Sequence, residues 1–122
     1  MKLLGAALIS LLPLIALADT YTMTVDGKTQ SLEFKEYQGA RLSQSCFKKD
    51  KPSCDAFSAI GKKVEETRPD IPLAGHPAAF YCGSAGGNNR ILRKNNNDYD
   101  FCEFKDKSMV NAWDLYNLAH KK

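Results

Sequence analysis

The sequence predicts a small α+β domain stabilised by disulfides: a helix–β-hairpin–helix unit preceded by a β-hairpin and a short cysteine-tied helical pair. Three observations predict it. Four cysteines follow an N-terminal segment with the composition of a secretory signal, which points to an oxidising compartment. An Asp26-Gly27 pair lies between two β-prone runs. Apolar residues further along recur at helical spacing between breaks rich in proline, glycine and lysine.

Residues 1–18, MKLLGAALISLLPLIALA, carry one cation at Lys2, an apolar run from Leu3 to Leu17 broken by Gly5, Ser10 and Pro13, and small residues Ala16 and Ala18 at the end. That is the tripartite pattern of a cleaved signal, and the run is shorter than the ~20 residues that span a bilayer. Cleavage after Ala18 leaves 104 residues from Asp19 onward, enough for one domain or one domain with a short accessory unit. No cysteine stands at the cleavage point to carry a lipid. The expected product is exported, periplasmic or secreted, monomeric, and without a transmembrane segment. Loss of Lys2 leaves 16 Lys+Arg against 14 Asp+Glu. So even a balance argues against a nucleic-acid partner, which calls for a strong basic stripe.

The elements follow in order. Residues 20–25 and 29–35 form a predicted hairpin, because Asp26-Gly27 supplies the positive φ angles of a tight turn. Tyr21, Met23 and Val25 alternate with threonines and imply one covered face. From Ala40 to Glu66 the spacing turns helical, broken by the loop KKDKPS, with Leu42, Cys46 and Phe47 before it. After the break Cys54, Phe57, Ile60, Gly61 and Val64 make one stripe on a helix, which Ser53 or Asp55 would cap. Residues 19–67 are therefore expected as hairpin and helical pair. Residues 68–75, RPDIPLAG, read as an extended linker.

Residues 76–122 would form a second unit. His76-Pro77 opens a helix, since proline in the first turn loses no hydrogen bond, and Gly86-Gly87 ends it. Arg90 to Lys94 and Tyr99 to Phe104 are strand candidates flanking the turn NNND. Ser108 is expected to begin a last helix whose Met109, Ala112, Trp113, Tyr116 and Ala119 pack on that hairpin.

The chemistry-bearing residues form no convergent catalytic set. Cysteines at 46, 54, 82 and 102, with histidines at 76 and 120, lack the close pairs of a zinc site. No cofactor and no metal is expected. Four cysteines permit three disulfide pairings, and spacing alone does not choose among them. A thiol nucleophile at Cys82 activated by His76 is disfavoured, because residues six apart on one helix face different ways. Asn96, Asp98 and Asp100 alternate like calcium ligands, but Phe101 and Lys107 stand where such a loop needs glycine and glutamate. A polar hairpin turn explains them better. GSAGGNN follows a helix instead of preceding one, so a helix stop is preferred to a phosphate cradle. A small hydrolase would use carboxylates such as Glu65, Glu66 or Asp114, but adjacent glutamates on a charged helix usually face solvent and no partner can be assigned to them.

The segment from Pro77 to Trp113 carries a resemblance. Pro77-Ala78-Ala79, Tyr81-Cys82, Gly86-Gly87, Phe101-Cys102, Phe104, Asp106, Ser108 and Trp113 stand in the order and spacing of a small exported bacterial domain. The chain resembles that family, the domain-of-unknown-function 333 family, whose members often bear a hemolysin label. The resemblance runs from His76 to about Tyr116, and residues 19 to 75 lie outside it. Relatives typically have asparagine where this chain has His76, and proline-aspartate-glycine where it has Lys105-Asp106-Lys107. They often carry two further cysteines that are absent here, one near Val110 and one near the C-terminus. Joint loss of those two implies that they pair with each other in relatives. The resemblance thus implies a Cys82–Cys102 bridge and leaves Cys46 with Cys54. Each would constrain the unfolded chain by roughly 2–4 kcal/mol.

The function expected from this reading is a non-enzymatic exported module that binds a protein or an envelope component, hydrolase inhibition being one form. A membrane-active, hemolysin-like toxin, with an amphipathic helix around Trp113, is the alternative. Candidate binding residues are Trp113 and Tyr116, together with Lys48, Lys49 and Lys51. Trp113, with Phe80, Tyr81 and Phe104, is expected chiefly as core; exposure beside Tyr116 would favour recognition.

Overall fold

In the computed structural model, residues 19–64 and 76–121 are described. The expected signal segment, the expected linker 68–75, Glu65 and Glu66 lie outside them. The element order is β1 (Asp19–Val25), β2 (Lys28–Tyr37), β3 (Ala40–Ser43), a 3-10 turn (Gln44–Cys46), β4 (Phe47–Lys48), β5 (Lys51–Pro52), α1 (Asp55–Ile60), α2 (Pro77–Ser84), β6 (Asn88–Lys94), β7 (Asn97–Glu103), β8 (Met109–Asn111) and α3 (Ala112–Ala119).

Helix and strand are mixed, as expected, and two disulfides are present. The architecture differs from the expected arrangement: six strands close a barrel in the order β1-β2-β3-β8-β7-β6, and β4-β5 form a separate small hairpin. Closure rests on two single registers, Thr22 opposite Arg93 and Leu42 opposite Val110. Three hairpins supply most of the pairing. Their turns, Asp26-Gly27, Gln38-Gly39 and Asn95-Asn96, have positive φ at both central residues. Such turns match the right-handed twist of the strands that they join.

Alternation along the strands separates two cores. Tyr21, Met23, Phe34, Leu92, Phe101 and Met109 fill the barrel. Tyr21 sits edge-on to Phe34 and Phe101 at 5.4 and 5.0 Å between ring centres. Leu42, Cys102 and Val110 point the other way and pack with Ala56, Ala59, Tyr81, Cys82 and Leu115 beneath the helices. The strands that carry them are thus buried on both faces, so period-2 polarity disappears exactly where the helices cover the barrel.

That double burial explains two corrections. Residues 40–47 are not the first helix of a cysteine-tied pair. They are β3, a 3-10 turn and the start of β4, because Gln38-Gly39 turns the chain back to pair Ala40 with Tyr37 and Leu42 with Lys35. The last helix starts not at Ser108 but after Asn111, whose Oδ1 accepts from the Asp114 N–H at 3.0 Å. Met109 and Val110 belong to β8.

The start of α1 is also held differently from expectation. The Cys54 sulfur, not Ser53 or Asp55, takes the Phe57 N–H at 3.3 Å. The free N–H groups of Asp55 and Ala56 donate to Asp106 Oδ2 and Ser108 Oγ, at 2.8 and 2.9 Å. A turn some fifty residues away thereby satisfies a helix start. The hairpins around Asp26-Gly27 and Asn95-Asn96, and the helix opened by His76-Pro77, stand where the residues predict them.

Candidate binding surface

α2 and α3 lie against each other over the barrel and together build an aromatic shelf. His76 caps α2: its Nδ1 accepts from the Ala79 N–H at 3.1 Å, which leaves the ring proton on Nε2. That nitrogen lies 3.1 Å from Asp100 Oδ2, while Asn89 Nδ2 donates to Asp100 Oδ1 at 2.9 Å. The ring is thereby fixed from both sides. It stacks on Trp113 at 5.9 Å and 20°. Trp113 in turn sits edge-on to Tyr116 at 5.8 Å, and Tyr116 overlaps His120 at 4.1 Å.

Trp113 is not the core residue expected. It is 38% exposed, while its neighbours Ala112 and Leu115 are buried and anchor α3. The apolar face that a membrane-active helix would need is thus largely turned into the core. A Trp held by neighbouring rings presents large area at little conformational cost, as in rigid recognition anchors.

Lys48, Lys49 and Lys51 occupy a different element, the β4-β5 hairpin. The Cys46–Cys54 bridge closes its base, and the Ser53 N–H donates to the Cys46 carbonyl at 2.8 Å. Lys48 and Lys51 stand opposite each other, and Lys49 takes positive φ at the tip. All three are exposed, and among the described residues none forms an ion pair. Like charges facing across a ladder repel, so the bridge holds together a tip that electrostatics opposes. Phe47 underlies it, with Lys35 Nζ 4.7 Å above its ring and Tyr37 edge-on at 5.7 Å.

Cys82 pairs with Cys102, tying α2 to β7. The Cys82 sulfur, the one thiol considered as a nucleophile, is therefore bonded and carries no free thiol. Asp98 faces Arg93 across the hairpin, and Asp100 serves His76. Among the described residues no group of three or more His, Cys, Asp or Glu side chains is placed to hold a metal. Asp114, half-buried, is pushed above its ordinary pKa by burial, partly offset by the N–H and charge of Arg41, and its Oδ2 accepts from that N–H at 2.9 Å. It tethers α3 to β3.

Residues 74–119 match the family model of a domain of unknown function, DUF333. Over this segment the chain is similar to that family, as its residue order implies. The segment contributes α2, β6, β7, β8 and α3, hence the aromatic shelf and three of the six barrel strands. The lysine hairpin lies outside it. No curated protein and no solved structure matches the chain. Local spacing marks His76 only as a helix cap; its place beside Trp113 depends on the α2-α3 contact, which no local spacing reveals.

Proposed function

We propose that the protein is an exported, non-enzymatic, disulfide-tied module that binds a protein or an envelope component through the Trp113 shelf. The observation that carries this reading is an exposed tryptophan whose ring is fixed by His76 and Tyr116. Preorganised aromatic anchors lose little entropy on binding and carry much of the energy at interfaces. The lysine hairpin adds a second, cationic contact suited to an acidic partner. Inhibition of a hydrolase is one form that such binding can take.

The test is affinity capture from envelope and culture-fluid fractions with the oxidised protein, its Trp113→Ala variant, and a variant with Lys48, Lys49 and Lys51 changed to Gln. A partner retained by the parent protein and lost with Trp113→Ala, while the thermal midpoint shifts by only a few degrees, supports the reading. Equal capture by all three proteins, or dye release from vesicles at micromolar protein, overturns it. The second of these outcomes reinstates the membrane-active alternative.

A further inference from the structure

One end of the barrel is open and amphipathic. By alternation, Met23 and Val25 of β1, Gln30 and Leu32 of β2, Arg90 of β6, Glu103 of β7 and Met109 of β8 face inward there, and with Lys107 they line a cavity of about 350 Å³. A second groove of about 340 Å³ runs from it along Ser31, Leu32 and Glu33, the part of β2 beyond its pairing with β3. Leu32, Lys107 and Met109 line both. The volume of either lies within the range of small-molecule sites, and mouths of small barrels are common places for them.

The floor is apolar and adaptable. Met23 and Met109 close over the Tyr21, Phe34 and Phe101 cluster, and Leu32 packs against it. Flexible thioethers suit a ligand without fixed shape, such as an acyl chain. The rim is charged: Arg90 Nε donates to Glu103 Oε1 at 2.8 Å, and Glu103 is 8% exposed. The buried carboxylate thus takes one donor of the guanidinium and leaves its terminal amino groups to other acceptors. Lys107, which among the described residues forms no ion pair, adds a second cation; the other carboxylate, Glu33, lines only the adjoining groove, so the excess positive charge is confined to the mouth between Lys107 and Arg90.

Lys107 holds φ at +75°, a conformation that costs a lysine strain and a glycine none. A strained residue at a cavity rim is where stability and function separate. We infer that the barrel mouth binds a single-chain amphiphile with a carboxylate head, its tail on Met23, Leu32 and Met109 and its head between Lys107 and Arg90. This site shares no residue with the Trp113 shelf, so it goes beyond the reading proposed above.

Dodecanoate and dodecyltrimethylammonium, each below its micellar concentration, and dodecanol, below its solubility limit, are titrated into the oxidised protein by calorimetry and by methyl NMR of the methionines. Dodecanoate is expected to bind one per chain and to move the Met23 and Met109 methyl signals; dodecanol should bind about tenfold more weakly, the weight of one charge-assisted hydrogen bond, and the cation not at all. Lys107→Gly should lose about the same factor for dodecanoate and none for dodecanol, while its thermal midpoint holds or rises. Unmoved methyl signals, equal affinity for all three heads, or full dodecanoate affinity in Lys107→Gly overturns the inference.

Discussion

Replacing Gly87 by alanine tests how the barrel is seated on its helices. Gly87 joins α2 to β6 and donates its N–H to the Cys82 carbonyl at 2.9 Å. A Cβ there would lie 2.5 Å from Cys102 Sγ, 3.0 Å from the Glu103 carbonyl oxygen and 3.3 Å from Cys82 Sγ. Ordinary contacts lie at about 3.5–4.0 Å, so the closest falls short by roughly 1 Å. Neither sulfur can rotate aside, because each is bonded to the other and buried. Overpacking of this kind costs about 1–3 kcal/mol, and the alanine recovers only ~0.4–1 kcal/mol through the unfolded chain. We expect a net loss of about 1 kcal/mol, hence a urea midpoint lower by roughly 0.5–1 M and a melting temperature lower by ~4–8 °C. Gly86→Ala is the comparison. Its φ of +96° is strained for alanine, but no heavy atom lies within 4 Å of the added carbon, so about 1–2 kcal/mol is lost through the backbone alone. In a Cys82→Ala/Cys102→Ala background two of the three close contacts vanish. The cost of Gly87→Ala should then fall by half or more, whereas that of Gly86→Ala should not change. Equal costs of Gly87→Ala in both backgrounds would refute the steric account.

Further outcomes follow from the same geometry. Burial alone would raise the pKa of Asp106, but the hydrogen bonds donated by the Asp55 N–H and by the hydroxyl and N–H of Ser108 outweigh it and hold the carboxyl below its ordinary value. Its stabilisation is therefore present above the unfolded value of about 3.9 and lost as pH falls through the folded one. Asp114, raised by burial, has the opposite sign: its contribution is full below about 3.9 and lost as pH rises through the folded value. Urea midpoints from acid to neutral pH should show Asp106→Asn flattening the acid loss and Asp114→Asn steepening it; parallel profiles would contradict both assignments. Removing Cys46–Cys54, which closes a separation of 8 residues, should cost about 2.5 kcal/mol, and removing Cys82–Cys102, which closes 20, about 3.3 kcal/mol in the chain-entropy account. Loss of the first bridge should free the lysine hairpin before the barrel, seen as early exchange of the Ser53 amide.

Much of the local structure is legible in short stretches of the chain. Asp26-Gly27 and Asn95-Asn96 state their turns, because few residues other than Gly, Asn and Asp adopt positive φ cheaply. His76-Pro77 and Gly86 bracket α2 for similarly local reasons. Gln38-Gly39 carries the same kind of signal more faintly, and without it Ala40 to Phe47 looks helical. Met109 and Val110 mislead differently: one faces the barrel and the other the helices, so two adjacent apolar residues imitate a buried helical stretch.

By itself, then, the chain determines its turns, the bounds of α2, the resemblance of residues 76–116 to a named family and, through that resemblance, the pairing of its cysteines. These depend on φ preferences, caps and residue order, all of which act over a few positions. Tertiary structure alone decides that the hairpins close into a barrel, that Asp106 and Ser108 hold the start of α1, that His76 steadies Trp113 at the surface, and that Lys107 stands over an apolar mouth. Each of these joins groups distant in sequence or sets which face of a strand meets solvent. Such contacts form only once the aromatic core of the barrel has brought its strands together.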